Sequence, residues 1–326
     1  MHLFWLRGVV ALAAAVAGLA AGGAAAQIFP SKIIRVINPA QPGGNNDILF
    51  RLLAPKMGEI LGQQLVVDYR PGASTIIGTE IVARSAPDGY TTLINGAVAV
   101  INPSFMAKLP FDPIKDFSAL GLIVDIPAAL VAHPSLPVKT VKDLIALAKA
   151  KPGQVFYSSS GAGALAHLSG ELFNTIAGTK LAHVPYKGAG PAVADLVAGH
   201  VQISFVSVPA IINFVQQGRL RMIAQCGATR FQSLPDVPTM EESGLKGLVV
   251  SSGFNFMGPA GIPRPIVEKL NSALVQALRD PTIRKTLIER GADPIGSSPD
   301  EHAAYIKSEI EKWQKVVKTA GIKTEQ

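Results

Sequence analysis

The sequence predicts an α/β protein of two strand–helix blocks, each a mostly parallel sheet flanked by helices. Three observations carry that reading. Short β-branched apolar runs alternate with longer segments whose apolar residues recur at helical spacing. Gly- and Pro-rich turns separate many of these segments. The alternation runs from Ile33 to Ile94 and starts again at Ala129. A repeated strand–helix–strand order favours parallel sheets with helices on their faces.

In the first block, Ile33-Ile34-Arg35-Val36-Ile37 lies between Pro30 and Pro39 and reads as a buried strand. The turn Gln41-Pro42-Gly43-Gly44-Asn45-Asn46-Asp47 follows. Ile48, Leu49, Leu52, Leu53, Met57, Ile60 and Leu61 then share one helical face, with Pro55 expected to kink the helix. Leu65–Asp68 is the next strand. Arg70-Pro71-Gly72-Ala73 turns into a helix through Ile81 and Ala83, and Asp88-Gly89 precedes the strand Thr91–Ile94.

The second block opens with the strand Ala129–Ala132 and a helix Val141–Ala150, whose N-cap is Thr140 with Asp143 at N3. Gln154–Ser158 is a strand running into Ser159-Ser160-Gly161-Ala162-Gly163. A helix through Leu168, Leu172, Phe173 and Ile176 follows, then the strand Ala182–Pro185, the helix Pro191–Ala198 and the strand Val201–Phe205. Three helices close the chain, Pro265–Leu278, Pro281–Arg290 and Asp300–Thr319, the last capped by Ser298-Pro299-Asp300-Glu301. Crossings between blocks are expected near Ile123–Pro127 and Val250–Gly258. They give one lobe of 27–126 plus 255–326 and a second of 127–254.

Residues 1–26 are set apart. Arg7, the apolar Val9–Leu19 and the small residues Ala24-Ala25-Ala26 follow the order of a secretory signal peptide. A membrane anchor is the rival reading, weakened by the Ala/Gly content and the cleavage signal. The rest holds no comparable apolar run, so a soluble exported chain is expected. Net charge is +7, or +6 without Arg7, and the bases are scattered, which gives nucleic-acid binding little support. Cys226 is the one cysteine, so no intramolecular disulfide can form, and burial as a small hydrophobe is expected.

Two turns share one design. Gly43-Gly44 and Gly161-Ala162-Gly163 each follow a strand and precede a helix. Such a turn presents backbone N–H groups at the positive end of a helix dipole, a ready anion site, although glycines also serve simple tight turns. Two of them in corresponding places favour a ligand cleft between facing helix N-termini. Gly161-Ala162-Gly163-Ala164-Leu165-Ala166 fits the dinucleotide pattern in form, but Ala182-His183-Val184-Pro185 lacks the acidic residue that would meet a ribose. His167 near Ser158, Ser159 and Ser160 raises a nucleophile–base pair, yet no nucleophile elbow is present and a packing role is favoured. No H-x-x-x-H occurs, and neither a metal nor a cofactor is expected. Asp47 is expected to cap its helix or brace the loop, with a direct ligand contact as the alternative.

At these loops the sequence resembles the Bug family, the tripartite tricarboxylate transporter substrate receptors typified by TctC. The matching pieces span nearly the whole mature chain. They include Pro39–Asp47, Arg70–Ala73, Ile77–Glu80, Ala86–Thr91, Ile101-Asn102-Pro103, Lys115-Asp116-Phe117, His167–Phe173, His183–Gly188, Leu234–Thr239 and Glu242-Ser243-Gly244. The resemblance implies a periplasmic Venus-flytrap fold of two lobes, a small carboxylate ligand, integral-membrane transporter subunits as partners, and no catalysis. A monomer is expected. Carried over residue by residue, the ligand loops are Ala40, Gln41, Pro42, Gly43, Gly44, Asn45, Asn46 and Asp47, and then Ser158, Ser159, Gly161, Ala162, Gly163, Ala164 and His167. Asn95, Gly96, Ala97, Val206 and Ser207 are expected as further walls.

Several positions depart from the family pattern. An aromatic is common where Ala40 stands, small hydroxyl residues at Asn45 and Asn46, Asn at Ala162, Ser at Ala164 and Asp at Gln202. A wider, less polar pocket follows, suited to a bulkier or aromatic acid. A ligand-presenting partner of a sensor is the alternative role, and a secreted hydrolase a more distant one.

Overall fold

The computed structural model describes residues 29–322, except Gly44 and Ala107. The leader predicted at 1–26 and the predicted site residue Gly44 therefore lie outside the described residues. Strand β1 (Ile34–Asn38) buries Ile34, Val36 and Ile37, and it leads into helix α1 (Asn45–Leu61), which runs through Pro55. Strand β2 (Leu65–Tyr69), helix α2 (Ile76–Ala83) and strand β3 (Thr91–Asn95) complete a parallel unit in the order β2-β1-β3, with Val36 opposite both Val67 and Thr92. Helix α3 (Val98–Phe105) follows directly.

Strand β4 (Phe117–Ala132) is 16 residues long, and only its last four were anticipated. Helix α4 (Val141–Ala150) starts at the expected Thr140, which forms a reciprocal capping box with Asp143. Strand β5 (Phe156–Ser159), helix α5 (Leu165–Ala177), strand β6 (Ala182–Pro185), helix α6 (Ala189–Ala198) and strand β7 (Ile203–Ser207) form a second parallel unit, with β5 between β6 and β7. The short helix α7 (Ile212–Gln216) and strand β8 (Arg221–Gln225) precede the returning strand β9 (Ser251–Pro259). Helices α8 (Arg264–Arg279) and α9 (Pro281–Glu289), the two-residue strand β10 (Asp293–Pro294) and helix α10 (Pro299–Ala320) close the chain. Ser298 and Glu301 form the capping box of α10.

The two parallel units join in one sheet ordered β2-β1-β3-β9-β4-β7-β5-β6, with β8 and β10 also on β4. The sheet is mixed rather than mostly parallel, because β9 and β4 run antiparallel to each other and to the strands they meet. The changeover falls at one place. Pairing of β4 with β9 ends at Pro127↔Ser251, and pairing with β7 begins at Ala128↔Ser207. Proline fits there because it has no N–H to give a ladder.

One core packs α1, α8 and α9 on the first unit through Phe50, Leu53, Met57, Leu270, Leu274 and Leu287. A second joins Leu130, Tyr157, Phe173 and Phe205 to Ile37, Leu93 and Trp313 of α10, so it spans both units, and a smaller third packs Val131, Leu196, Val201 and Leu220 on the other face of the second unit's strands. Each such side chain, fully buried, contributes about 1.5–3 kcal/mol. Cys226 is wholly buried, as expected, and burial pushes its thiol up to about 12. No described helix is long and apolar enough to cross a membrane.

Gly170 on α5 shows how tight this packing is. A Cβ there would lie 2.3 Å from the Tyr157 ring, whose hydroxyl is anchored 2.6 Å from Glu171 Oε1. Ala for Gly inside a helix ordinarily stabilises by about 0.5–1 kcal/mol. Here Gly170→Ala is expected to destabilise by about 1–3 kcal/mol through overpacking, read as a lower urea midpoint.

Candidate functional site

The loops at the carboxyl ends of β1, β3, β5 and β7 meet at a cleft. It consists of a cavity of about 660 Å³ and a smaller one of about 200 Å³, which share Asn45, Ser160, Leu165 and Ser252 as walls. Four helices begin on this cleft, α1 at Asn45, α3 at Val98, α5 at Leu165 and α6 at Ala189. First-turn N–H groups have no intrahelical acceptor, and each helix start carries roughly half a positive charge. Among the described residues lining the two cavities, none is charged. Apolar wall comes from Ile101 and Phe105 of α3, from Met106 after it and from Phe254 of β9, with Asn102 of α3 a polar exception. The arrangement can hold an anion by backbone dipoles and its organic body by dispersion.

The predicted residues divide into wall and support. Ala40, Asn45, Asn46, Asn95, Gly96, Ala97, Ala162, Gly163 and Ala164 line the larger cavity, and Ser159, Val206 and Ser207 line the smaller. Gln41, Pro42 and Gly43 are exposed and are not among the walls of either cavity. Asp47 is buried away from the cleft, and its carboxylate is fully engaged. It accepts from the Gly43 N–H at 2.8 Å, from the Tyr69 hydroxyl at 2.6 Å and from Arg51 Nε at 2.6 Å. Burial opposes its ionisation, but those three hydrogen bonds outweigh burial and hold the carboxyl below its usual range. It braces the first loop.

Ser158, Gly161 and His167 likewise stand behind the second loop. Ser158 is fully buried, and its carbonyl accepts from the Ser204 hydroxyl at 3.0 Å. The Gly161 N–H donates to Ser159 Oγ at 3.1 Å, and that hydroxyl lies 2.6 Å from His183 Nε2. His167 Nδ1 accepts from the Gly163 N–H at 3.0 Å, and its ring stacks on His183 with centroids 4.0 Å apart. Burial lowers the pKa of both imidazoles, and the neighbouring His167 helps push His183 down to about 4. The two rings shape the loop as neutral groups. His167 bonds a backbone N–H rather than a serine hydroxyl, which is the geometry of a brace and not of a general base.

Sequence reasoning missed the walls from α3 and β9, and also Ser74 and Thr75 after β2. It missed a buried polar chain beneath them as well. The Gly121 N–H donates to His302 Nδ1 at 3.0 Å, which puts the ring proton on Nε2, 3.0 Å from Asn255 Oδ1. Asn255 Nδ2 in turn donates to the Asn95 and Gly96 carbonyls at 3.3 and 3.4 Å. One network thus links α10, β4 and β9 to the cleft wall. Burial holds His302 neutral, with its pKa pushed down to about 3.

Fold and cleft together define a two-lobed solute-binding receptor. Residues 49–322 match the tripartite tricarboxylate transporter family receptor, TctC. The chain is 36% identical over 325 residues to Protein BugT of Bordetella pertussis, covering 99% of each chain. It is similar to R. palustris Rpa4515 solved with adipate, at 35% identity and a TM-score of 0.75, over 91% of this chain and 100% of that one. It is also similar to a TctC solute-binding protein from Polaromonas solved with no ligand, at 25% identity and a TM-score of 0.82, over 89% and 99%. The chain belongs to the TctC receptor family.

His302 carries a pH signature. Its folded pKa lies below the ordinary 6.5, so from about pH 6.5 down to 3 the unfolded chain binds a proton that the folded chain does not, and stability falls with pH. His167 and His183 act in the same direction, whereas Asp125, whose carboxyl burial pushes up to about 7, acts against them. His302→Gln is expected to lose about 1–3 kcal/mol at pH 7 by disturbing the buried chain. Its stability should also fall less steeply between pH 6.5 and 4.5, by up to about 1.4 kcal/mol per pH unit. Urea unfolding at several pH values checks both; an unchanged slope would contradict the account.

Proposed function

We propose that the mature protein, starting near Gln27, is a periplasmic receptor that captures a small carboxylate between two lobes, without chemistry, and delivers it as a monomer to integral-membrane transporter subunits. The observation that carries this reading is the uncharged cleft walled by four helix starts, two from each parallel unit. Such a cleft suits one carboxylate held by N–H groups and wall hydroxyls or amides. Adipate in a relative of the same family supports the ligand class.

The lobes we assign are 27–126 plus 255–326 and 127–254, hinged where β4 and β9 pass between the units at Pro127 and Ser251. Ligand touching both sides favours the closed arrangement over the open one.

Ala40, Ala162 and Ala164 leave room at the walls, and Phe105, Met106 and Phe254 offer apolar contact. These features support a bulkier, aromatic or aliphatic acid rather than a compact tricarboxylate. Ala40→Phe, which fills that room, is expected to weaken binding of the cargo about tenfold or more.

A thermal-shift screen of the refolded mature chain against mono-, di- and tricarboxylates, aromatic acids and amino acids tests the proposal. An acid at a hundred times its Kd stabilises by about 2.7 kcal/mol, a shift of several degrees. No shift with any acid would refute the carboxylate assignment, and unchanged affinity in Ala40→Phe would refute the wider pocket.

A further inference from the structure

Backbone strain at non-glycine positions is concentrated, among the described residues, at one place. Among the described residues, Ala73, Ser74 and Thr75 are the only non-glycine residues with positive φ, at 44°, 50° and 76°. They are consecutive. A side chain beyond Cβ rarely tolerates this region, and a β-branched residue such as Thr75 is a genuine outlier there. Glycine would adopt the same backbone without strain.

Several contacts hold the segment in this shape. Asn102 Nδ2 donates to the Ser74 carbonyl at 2.8 Å, and the Thr79 hydroxyl donates to the Thr75 carbonyl at 2.8 Å. Asn95 Nδ2 lies 3.3 Å from that same Thr79 oxygen, tying the strained turn to the end of β3. At Gly78 a Cβ would lie 2.7 Å from the Arg70 carbonyl and from Pro39, so the turn is also pressed against the β1 loop. Strain of this kind persists where the surroundings over-determine it, and it collects at ligand contacts.

Ser74 and Thr75, two of the three, line the larger cavity alongside Asn102. Among the described residues, neither the Ser74 nor the Thr75 hydroxyl has a hydrogen-bond partner in the protein. The helix starts at Asn45 and Leu165 serve the same cavity as places for a carboxylate. The two hydroxyls offer a separate polar patch, with the apolar Phe105 and Met106 among the other walls.

We propose that Ser74 and Thr75 are specificity-determining residues, whose hydroxyls hydrogen-bond a second oxygen function of the ligand, away from its carboxylate. The ligand class is then an acid with an apolar body and a distal carboxylate, hydroxyl or carbonyl oxygen. The inference rests on the carboxylate-receptor reading and narrows it.

The test uses two matched pairs of probes, hexanoate with adipate and benzoate with 4-hydroxybenzoate, titrated by calorimetry into the refolded mature chain. The oxygenated member of at least one pair should bind about tenfold more tightly or better. The double variants Ser74→Ala with Thr75→Ala, and Ser74→Gly with Thr75→Gly, should both erase that preference. The glycine pair alone should also raise the unliganded Tm, by about 1–3 °C per substitution, as the strain is released. Equal affinity within both pairs, or a preference that survives in the alanine variant, would overturn the inference while leaving the receptor reading intact. Failure of all four acids to bind, with another acid of the thermal-shift panel bound, would overturn the inferred ligand class and leave the receptor reading intact.

Discussion

The pairing of β4 with β9 is the constraint on which the rest of this structure depends. Nine matched positions, from Phe117↔Pro259 to Pro127↔Ser251, fix the register of the two strands that pass between the parallel units. That register puts Asn255 beside the end of β3, where its amide holds the Asn95 and Gly96 carbonyls. It also sets Ser252 and Phe254 in the cleft wall. A slip of one residue would turn every side chain of the ribbon to the other face and dismantle both. The His302 chain secures the register from the side of α10, since a buried amide and imidazole without partners would be costly.

In the proposed receptor, recognition at the cleft would rest on dipoles rather than on formal charge, because none of the described lining residues is charged. A lysine or arginine in the cavity would have to be desolvated on closure, and it would bind many anions indiscriminately. Backbone N–H groups at a helix start are fixed in direction by the fold. The side chains nearest them act mainly as supports. Asp47 is committed to the first loop and the stacked His167 and His183 to the second, so the two loops keep their shape without a ligand. On the proposed reading, shape and the placement of hydroxyls are then what remain to distinguish one acid from another.

What was legible in the sequence is what local physics decides. β1 to β3 and α4 are marked by short β-branched runs and by the Thr140–Asp143 cap, and their predicted limits fall within a few residues of those observed. The turns before α1 and α5 were legible as turns because the junction of strand and helix has its own residue chemistry. The length of β4 was hidden, since Gly121 and Pro127 interrupt its pattern and its partner β9 lies more than a hundred residues away. Helix α3 was hidden because Val98-Ala99-Val100-Ile101 reads as a strand and Ala97 is a weak cap. The turn at Ser74 and Thr75 was invisible for a different reason: neither residue signals a positive φ, and only the surrounding fold imposes it. Asp47 and His167 were assigned to the right loops, but whether a side chain faces a cavity or braces its wall depends on partners such as Tyr69 and His183 that are distant in sequence.

The central claim is that the two units close on a captured acid by bending where β4 and β9 cross. Small-angle X-ray scattering of the refolded chain, alone and saturated with the acid that shifts its melting temperature most, tests it most directly. A smaller radius of gyration and a more compact profile at saturation are the expected result. An unchanged profile, with binding verified in the same sample, would contradict closure and leave the cleft a rigid pocket.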